Sequence, residues 1–153
     1  MELDNKEQNA IDILRHYPYW QKKAAYLKRE IEDLQIYLDE NSVPGTSRLD
    51  TMGIHSQSQS SQEETRLLQD EKIIQKILAY RRELLEVNHK IKVVELAMEI
   101  LSDDEKKIIQ YRIIDRKTWQ NTAIFTNASV SYCRQHAEKA INQLTKIFNN
   151  QWE

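Results

Sequence analysis

A chain of 153 residues is one domain or two small helical modules, and 22 basic against 24 acidic residues, a net −2, excludes the strongly basic signature of a nonspecific DNA coater. Only two glycines and two prolines, with 30% charged residues, point to an all-helical protein. One cysteine excludes an internal disulfide, no apolar run approaches the roughly 20 residues that cross a bilayer, and MELDNKEQ lacks the basic and apolar segments of a signal peptide, so a cytoplasmic protein with no membrane partner is expected.

In chain order, the first expected element is a short helix from about Asp4 to His16, with Ala10, Ile13, Leu14 and Tyr17 on its apolar side. Pro18 disfavours helical geometry at Tyr17 and can itself open the next helix, so a boundary is expected there. In that next helix Trp20, Ala24, Leu27, Ile31, Leu34 and Leu38 alternate by four and three. Residues 41–62, NSVPGTSRLDTMGIHSQSQSSQ, hold both glycines, one of the two prolines and a Ser/Gln run, and read as a flexible loop. Leu49, Met52 and Ile54 could form a small docking patch within it; a bare linker is the simpler reading.

The helix after the loop repeats the pattern over Ile73, Ile77, Tyr80, Leu84, Val87, Ile91, Val94, Met98 and Leu101. Runs this regular argue for coiled-coil packing. At about 1.5 Å per residue the first run spans roughly 27 Å and the second roughly 42 Å, which suits an antiparallel hairpin with a projecting longer helix. Ile36, Ile74, Leu78 and Leu85 flank the seam and widen the apolar stripe beyond what one partner helix covers. A homo-oligomer is therefore expected in preference to a monomeric hairpin folded back on the C-terminal unit. Residues 1–100 form this hairpin in the expected organisation.

Residues 101–153 form the second expected unit. Ser102-Asp-Asp-Glu105 is a capping box whose acidic turn suits the helix dipole, and Ile108, Ile109, Ile113 and Ile114 supply the apolar side of the helix it opens. Thr118 is the expected N-cap of a second, short helix, with Trp119 at its first position. Ala123 is small where two helices cross, and Phe125 and Ala128 are expected to close a small core. Thr122 stands where an aliphatic residue is expected and could bond its hydroxyl back to the preceding turn. Asn127 sits where the chain reverses and tolerates positive φ; Ser129 follows as N-cap of a long third helix. Cys133, Ala137, Ala140, Leu144 and Phe148 form its buried stripe, with Ile141 at the edge.

The opposite face carries Ser131, Tyr132, Arg134, Gln135, Glu138 and Lys139. Arg and Gln make paired hydrogen bonds to guanine and adenine edges. The simpler reading is a solvated helix face. The combination of cap, tight turn and short preceding helix favours instead a helix-turn-helix whose last helix lies in a major groove. Residues 106–146 carry 8 basic residues against 2 acidic, a net +6, which favours phosphate contact. The expected DNA-binding set is Arg134 and Gln135 on base edges, Ser131, Tyr132 and Lys139 beside them, Ser129 at the helix start, and Thr118, Trp119 and Gln120 on phosphates.

Leu101-x-x-x-Glu105, Tyr111-Arg112, Thr118-Trp119, Ala123, Ser129, Arg134-Gln135, Lys139-Ala140-Ile141 and Leu144 together resemble the region of bacterial sigma factors that reads the −35 promoter element. The pattern is closer still to phage late-transcription regulators of the ArpU and RinA type, short helical proteins with a sigma-like helix-turn-helix at the C-terminal end. The resemblance covers roughly residues 101–148. Thr122 and His136 depart from it where aliphatic residues are usual. It implies a phage-encoded activator of late genes in a bacterial host cell, acting on double-stranded DNA with RNA polymerase as a further partner.

Catalysis finds little in the sequence. His16, His55, His89 and His136 stand apart with no metal-ligand spacing to one another or to Cys133, and no glycine loop cradles a phosphate. No enzyme, cofactor or metal is expected. Two other functions fit the same elements: a small terminase subunit that binds DNA for packaging and assembles into a ring, and a module that binds RNA polymerase without reading DNA.

Overall fold

The computed structural model describes residues 5–41 and 57–151. These residues form five α-helices and one π-helical segment, and no strand occurs among them. The helices are α1 (Asn5–Asn41), α2 (Gln57–Glu99), α3 (Asp103–Ile108), α4 (Trp119–Thr126) and α5 (Val130–Gln151); the π-helical segment Ile109–Ile114 continues α3. The protein is all-α, with a long helical hairpin followed by a helix-turn-helix.

Two expectations are corrected. The boundary at Pro18 is absent: α1 runs through it without interruption. An interior proline removes one hydrogen bond and crowds the carbonyl four residues back, at about 3 kcal/mol. Packing on both sides of it offsets that cost, since Leu14 is fully buried and Tyr17 and Trp20 lean on the same core. The expected loop 41–62 is also too long at its far end, because α2 already begins at Gln57. The Ser/Gln run is polar but contains no helix breaker, and Thr65 hydrogen-bonds back to the Ser61 carbonyl at 2.9 Å as helical threonines do. Asn41 still belongs to α1, and residues 42–56, with Leu49, Met52 and Ile54, lie outside the described residues.

The chain divides into two compact units. One is Ala24–Glu86. Within it, Ala24 and Leu27 of α1 and Ile77 of α2 are buried, while Tyr37 near the end of α1 shares a cleft with Ser61, Thr65 and Asp70 near the start of α2. The two segments therefore run antiparallel. The heptad positions are the covered ones and their flanks are open.

The other unit comprises the described residues of Met1–Lys23 and Val87–Glu153. Here too α1 and α2 are antiparallel: the Tyr17 hydroxyl donates to Glu95 Oε1 at 2.9 Å, and the Lys90 ammonium lies 5.6 Å from the centre of the Trp20 ring. Ala10, Ile11 and Leu14 of α1 join Val93, Val94 and Ala97 of α2, Leu101, Ile109, Ile113 and Ile114, and Ala140, Ile141, Leu144 and Phe148 of α5 in one apolar core. The start of the chain thus packs against the helix-turn-helix. A second, smaller cluster of Ile108, Ala123, Cys133 and Ala137 holds α3, α4 and α5 together.

Candidate nucleic-acid interface

The helix-turn-helix is built by local backbone chemistry. Ser102 caps α3, its hydroxyl accepting from the Glu105 N–H at 3.3 Å. Thr118 caps α4 by accepting from the Asn121 N–H at 3.1 Å, and Ser129 caps α5 by accepting from the Tyr132 N–H at 3.1 Å. Each satisfies one of the amide groups that a helix start leaves without a partner. Between α4 and α5 the turn rests on Asn127, which is left-handed at φ 54°. Around it the Ala128 N–H donates to the Ala123 carbonyl at 3.0 Å and the Asn127 N–H to the Ile124 carbonyl at 3.3 Å. That pair of bonds is the Schellman closure of a helix end.

A threonine ladder holds α4 where aliphatic residues would be usual. The Thr122 hydroxyl, fully buried, donates to the Thr118 carbonyl at 2.8 Å, and that of Thr126 to the Thr122 carbonyl at 2.7 Å. The Thr126 hydroxyl also touches the Cys133 sulfur of α5 at 3.4 Å. The polar atom of Thr122 is thus satisfied within its own helix, and its methyl group is left for the core. Ala128 packs on the same cluster as expected. Phe125 does not: it is 55% exposed and stacks on Tyr111 with ring centres 5.0 Å apart. Thr122 and Ala123 occupy the buried side of α4, which leaves Ile124 and Phe125 on the open side.

In α5 the stripe Cys133, Ala137, Ala140, Leu144 and Phe148 is buried, and so is Ile141 at its edge. Ser131, Arg134, Gln135, Glu138 and Lys139 are exposed, as are Thr118, Gln120 and Ser129. The two cap hydroxyls use an acceptor lone pair inside the protein and keep their O–H groups to donate outward. Tyr132 differs. Its hydroxyl donates to Asp104 Oδ2 of α3 at 3.1 Å, a bond that raises the phenol's pKa, so its polar end is engaged inside the unit. Its ring lies against His136 with centres 4.0 Å apart, and His136 Nδ1 stands 3.9 Å from Oε1 of the buried Glu105. His136 therefore belongs to the α3–α5 packing.

Trp119 gathers charge. The Arg112 guanidinium carbon lies 4.5 Å from the centre of its ring, and that of Arg134 lies 5.7 Å from it. Each contact stabilises by about 0.5–1 kcal/mol at an open site. Arg112 is further fixed by donating to the Lys117 carbonyl at 2.9 Å. Burial, then the like charges of Arg15 and Arg134, lower its pKa from the ordinary arginine value. Arg112 and Arg134, from the π-helical segment and α5, thus share the Trp119 ring, and Arg15 of α1 adds like charge at Arg112, a field that favours an anion. The expected set placed Trp119 on a phosphate; in the structure the Arg112 and Arg134 guanidinium groups lie by its ring.

Arg112 and Arg15 escaped the sequence-based set. The direction of Arg112 follows from π-helical winding, in which residues five apart meet: the Gln110 side chain donates to Asp115 at 3.1 Å, and the Asp115 N–H to the Gln110 carbonyl at 2.8 Å. Nothing in IIQYRII announces that winding. Arg15 acts on Arg112 as a like charge from 97 residues earlier, which no local pattern marks. The positive φ of Arg116, 57°, was likewise unannounced, since arginine has no special tolerance for it.

No curated protein and no solved structure matches the chain. The model of one family matches residues 24–146, which takes in most of the hairpin and the helix-turn-helix through α5 to Lys146. On that match the chain belongs to the family described as protein of unknown function (DUF722).

Proposed function

We propose that this protein is a sequence-specific DNA-binding regulator of transcription, phage-encoded and acting in the bacterial cytoplasm on late genes, as its resemblance to the ArpU and RinA regulators implies. It does no catalysis and needs no cofactor in this reading. The observation that carries the reading is a presented helix beside positive charge. α5 buries one face and displays Arg134, Gln135 and Lys139 on the other, next to the Arg112–Arg134 pair over Trp119, to which Arg15 adds like charge. Gln135 and Arg134 supply the donors that distinguish base edges, while Arg112 and Arg15 act as phosphate anchors.

The test is selection of bound fragments from a random duplex library at near-physiological salt. Wild type is expected to enrich a defined motif that the Arg134→Ala, Gln135→Ala double variant loses. Arg134→Ala alone should cost about 1–3 kcal/mol on the selected site. Arg112→Ala should weaken all sequences alike and lower the salt dependence by about one counterion, leaving the motif in place. Absence of enrichment by the wild type overturns the reading.

One observation favours the second reading, a module that binds RNA polymerase. Ile124 and Phe125 are 75% and 55% exposed on α4, an apolar pair on the open side of the helix-turn-helix that a protein surface would cover. Co-purification of polymerase with a wild type that selects no DNA motif would support it.

A further inference from the structure

α2 carries a second apolar stripe that the hairpin does not use. In the unit Ala24–Glu86 its seam toward α1 is Ile73, Ile77, Tyr80 and Leu84, with Ile77 buried. One residue further on, about 100° around the helix, lie Leu67, Ile74, Leu78 and Leu85, which are 63%, 46%, 39% and 70% exposed. Their spacing of seven, four and seven is that of a heptad seam in which two positions are taken by the exposed Glu71 and Arg81. Four large aliphatic residues held open at heptad spacing need a partner helix.

The order of these residues says which partner. Leu67 and Leu85, Glu71 and Arg81, and Ile74 and Leu78 form three pairs, each centred on residue 76. If a second copy of α2 lies antiparallel across a two-fold axis at that point, Leu67 faces the partner's Leu85, Ile74 faces the partner's Leu78, and Glu71 faces the partner's Arg81. Two-fold symmetry repeats every pair, because a contact from i to j implies one from j to i. A parallel, in-register pair of the same helices would match the leucines equally well. It would also set Glu71 against Glu71 and Arg81 against Arg81 inside the seam, and buried like charges are strongly disfavoured. The stripe is self-complementary in one direction only.

We infer that the protein is a two-fold homodimer joined through α2, the two copies antiparallel along Leu67–Leu85 with reciprocal Glu71–Arg81 ion pairs. The interface is independent of DNA recognition. It stands or falls on mass and geometry, whatever the outcome of the duplex selection.

The test uses the full chain. Light scattering at micromolar concentration should give twice the 18.2 kDa of one chain. Leu78→Glu with Leu85→Glu should give the single mass with helical circular dichroism unchanged, because both side chains are exposed within one copy. Glu71→Arg should weaken the dimer at least about tenfold, and adding Arg81→Glu to it should restore most of the loss, since the exchange keeps the antiparallel pairs complementary. Cysteines give the direction. Leu67→Cys alone and Leu85→Cys alone should not cross-link, the like positions lying roughly 27 Å apart along the axis, while a mixture of the two should cross-link readily. Cys133 is fully buried and adds no background. A monomeric wild type, a mass untouched by Leu78→Glu with Leu85→Glu, no rescue by the charge exchange, or a Leu67→Cys protein that cross-links with itself overturns the inference.

Discussion

Tyr17 illustrates what single side chains contribute across long sequence distances. Burial, then its hydrogen bond to Glu95 and that carboxylate's negative charge, push its phenol up from 10.0 to about 12. The folded protein therefore holds this proton more tightly than the unfolded chain does. The associated stability is fully present below pH 10 and is lost as pH rises from 10 through 12. Tyr17→Phe should flatten that part of the fall: urea midpoints at pH 9 and pH 11 should differ less for the variant than for wild type, and equal differences would remove Tyr17 as the cause. At this scale legibility depends on reach. Thr118, Asn127 and Ser129 could be read from sequence because each answers a backbone need within three residues of itself. The Tyr17–Glu95 bond joins residues 78 apart, and no local pattern marks it. Tyr132 is a second such case: its hydroxyl donates to Asp104, 28 residues earlier, and no local pattern marks that bond.

Among the elements, the long helices were legible in periodicity and illegible at their ends. The heptads correctly marked the covered faces of α1 and α2, because burial against one neighbouring helix imposes a repeat near 3.5. Pro18 misled because proline chemistry describes the local cost of a helix, whereas α1 is held by core contacts on both sides of that residue. The same reasoning predicts the outcome of removing it. Pro18→Ala returns an amide donor and relieves the clash with the preceding turn, so the variant should be more stable by about 1–3 kcal/mol, less any loss from a freer unfolded chain. Urea denaturation followed by helical circular dichroism measures this, and a destabilised variant would mean that α1 uses the distortion that Pro18 imposes. The π-helical segment is the opposite case. It sets Arg112 on Trp119, yet isoleucines at 108, 109, 113 and 114 look like an ordinary apolar face until the winding is known.

For the whole molecule, the sequence indicated the architecture better than the function. An all-helical chain with a hairpin and a terminal helix-turn-helix follows from glycine and proline scarcity, heptads and caps, which are properties of the chain itself. Recognition of a partner depends on what converges in space. The Arg112–Arg134 pair over Trp119 is assembled from three separate elements, and the Leu67–Leu85 stripe stands out only once its exposure is known. Symmetry links the two proposals. A two-fold dimer carries two copies of α5 related by one axis, so on the two proposals together the motif enriched in the duplex selection should be an inverted repeat. Among the described residues no helix is long and apolar enough to cross a membrane.

The sole cysteine of the chain lies at 0% exposure between α4 and α5. That makes Cys133 a clock for the helix-turn-helix. A thiol reagent can reach it only when the packing of α3, α4 and α5 opens, locally or with the whole chain, so labelling speed counts those openings. Labelling about a thousandfold slower than in denatured protein corresponds to an opening cost near 4 kcal/mol. If labelling runs ahead of global unfolding measured on the same sample, the helix-turn-helix breathes while the hairpin stays folded. If the two rates coincide, the chain opens as one cooperative body. Slowing of the labelling by duplex DNA would then report occupancy of α5 without any dye, tag or substitution.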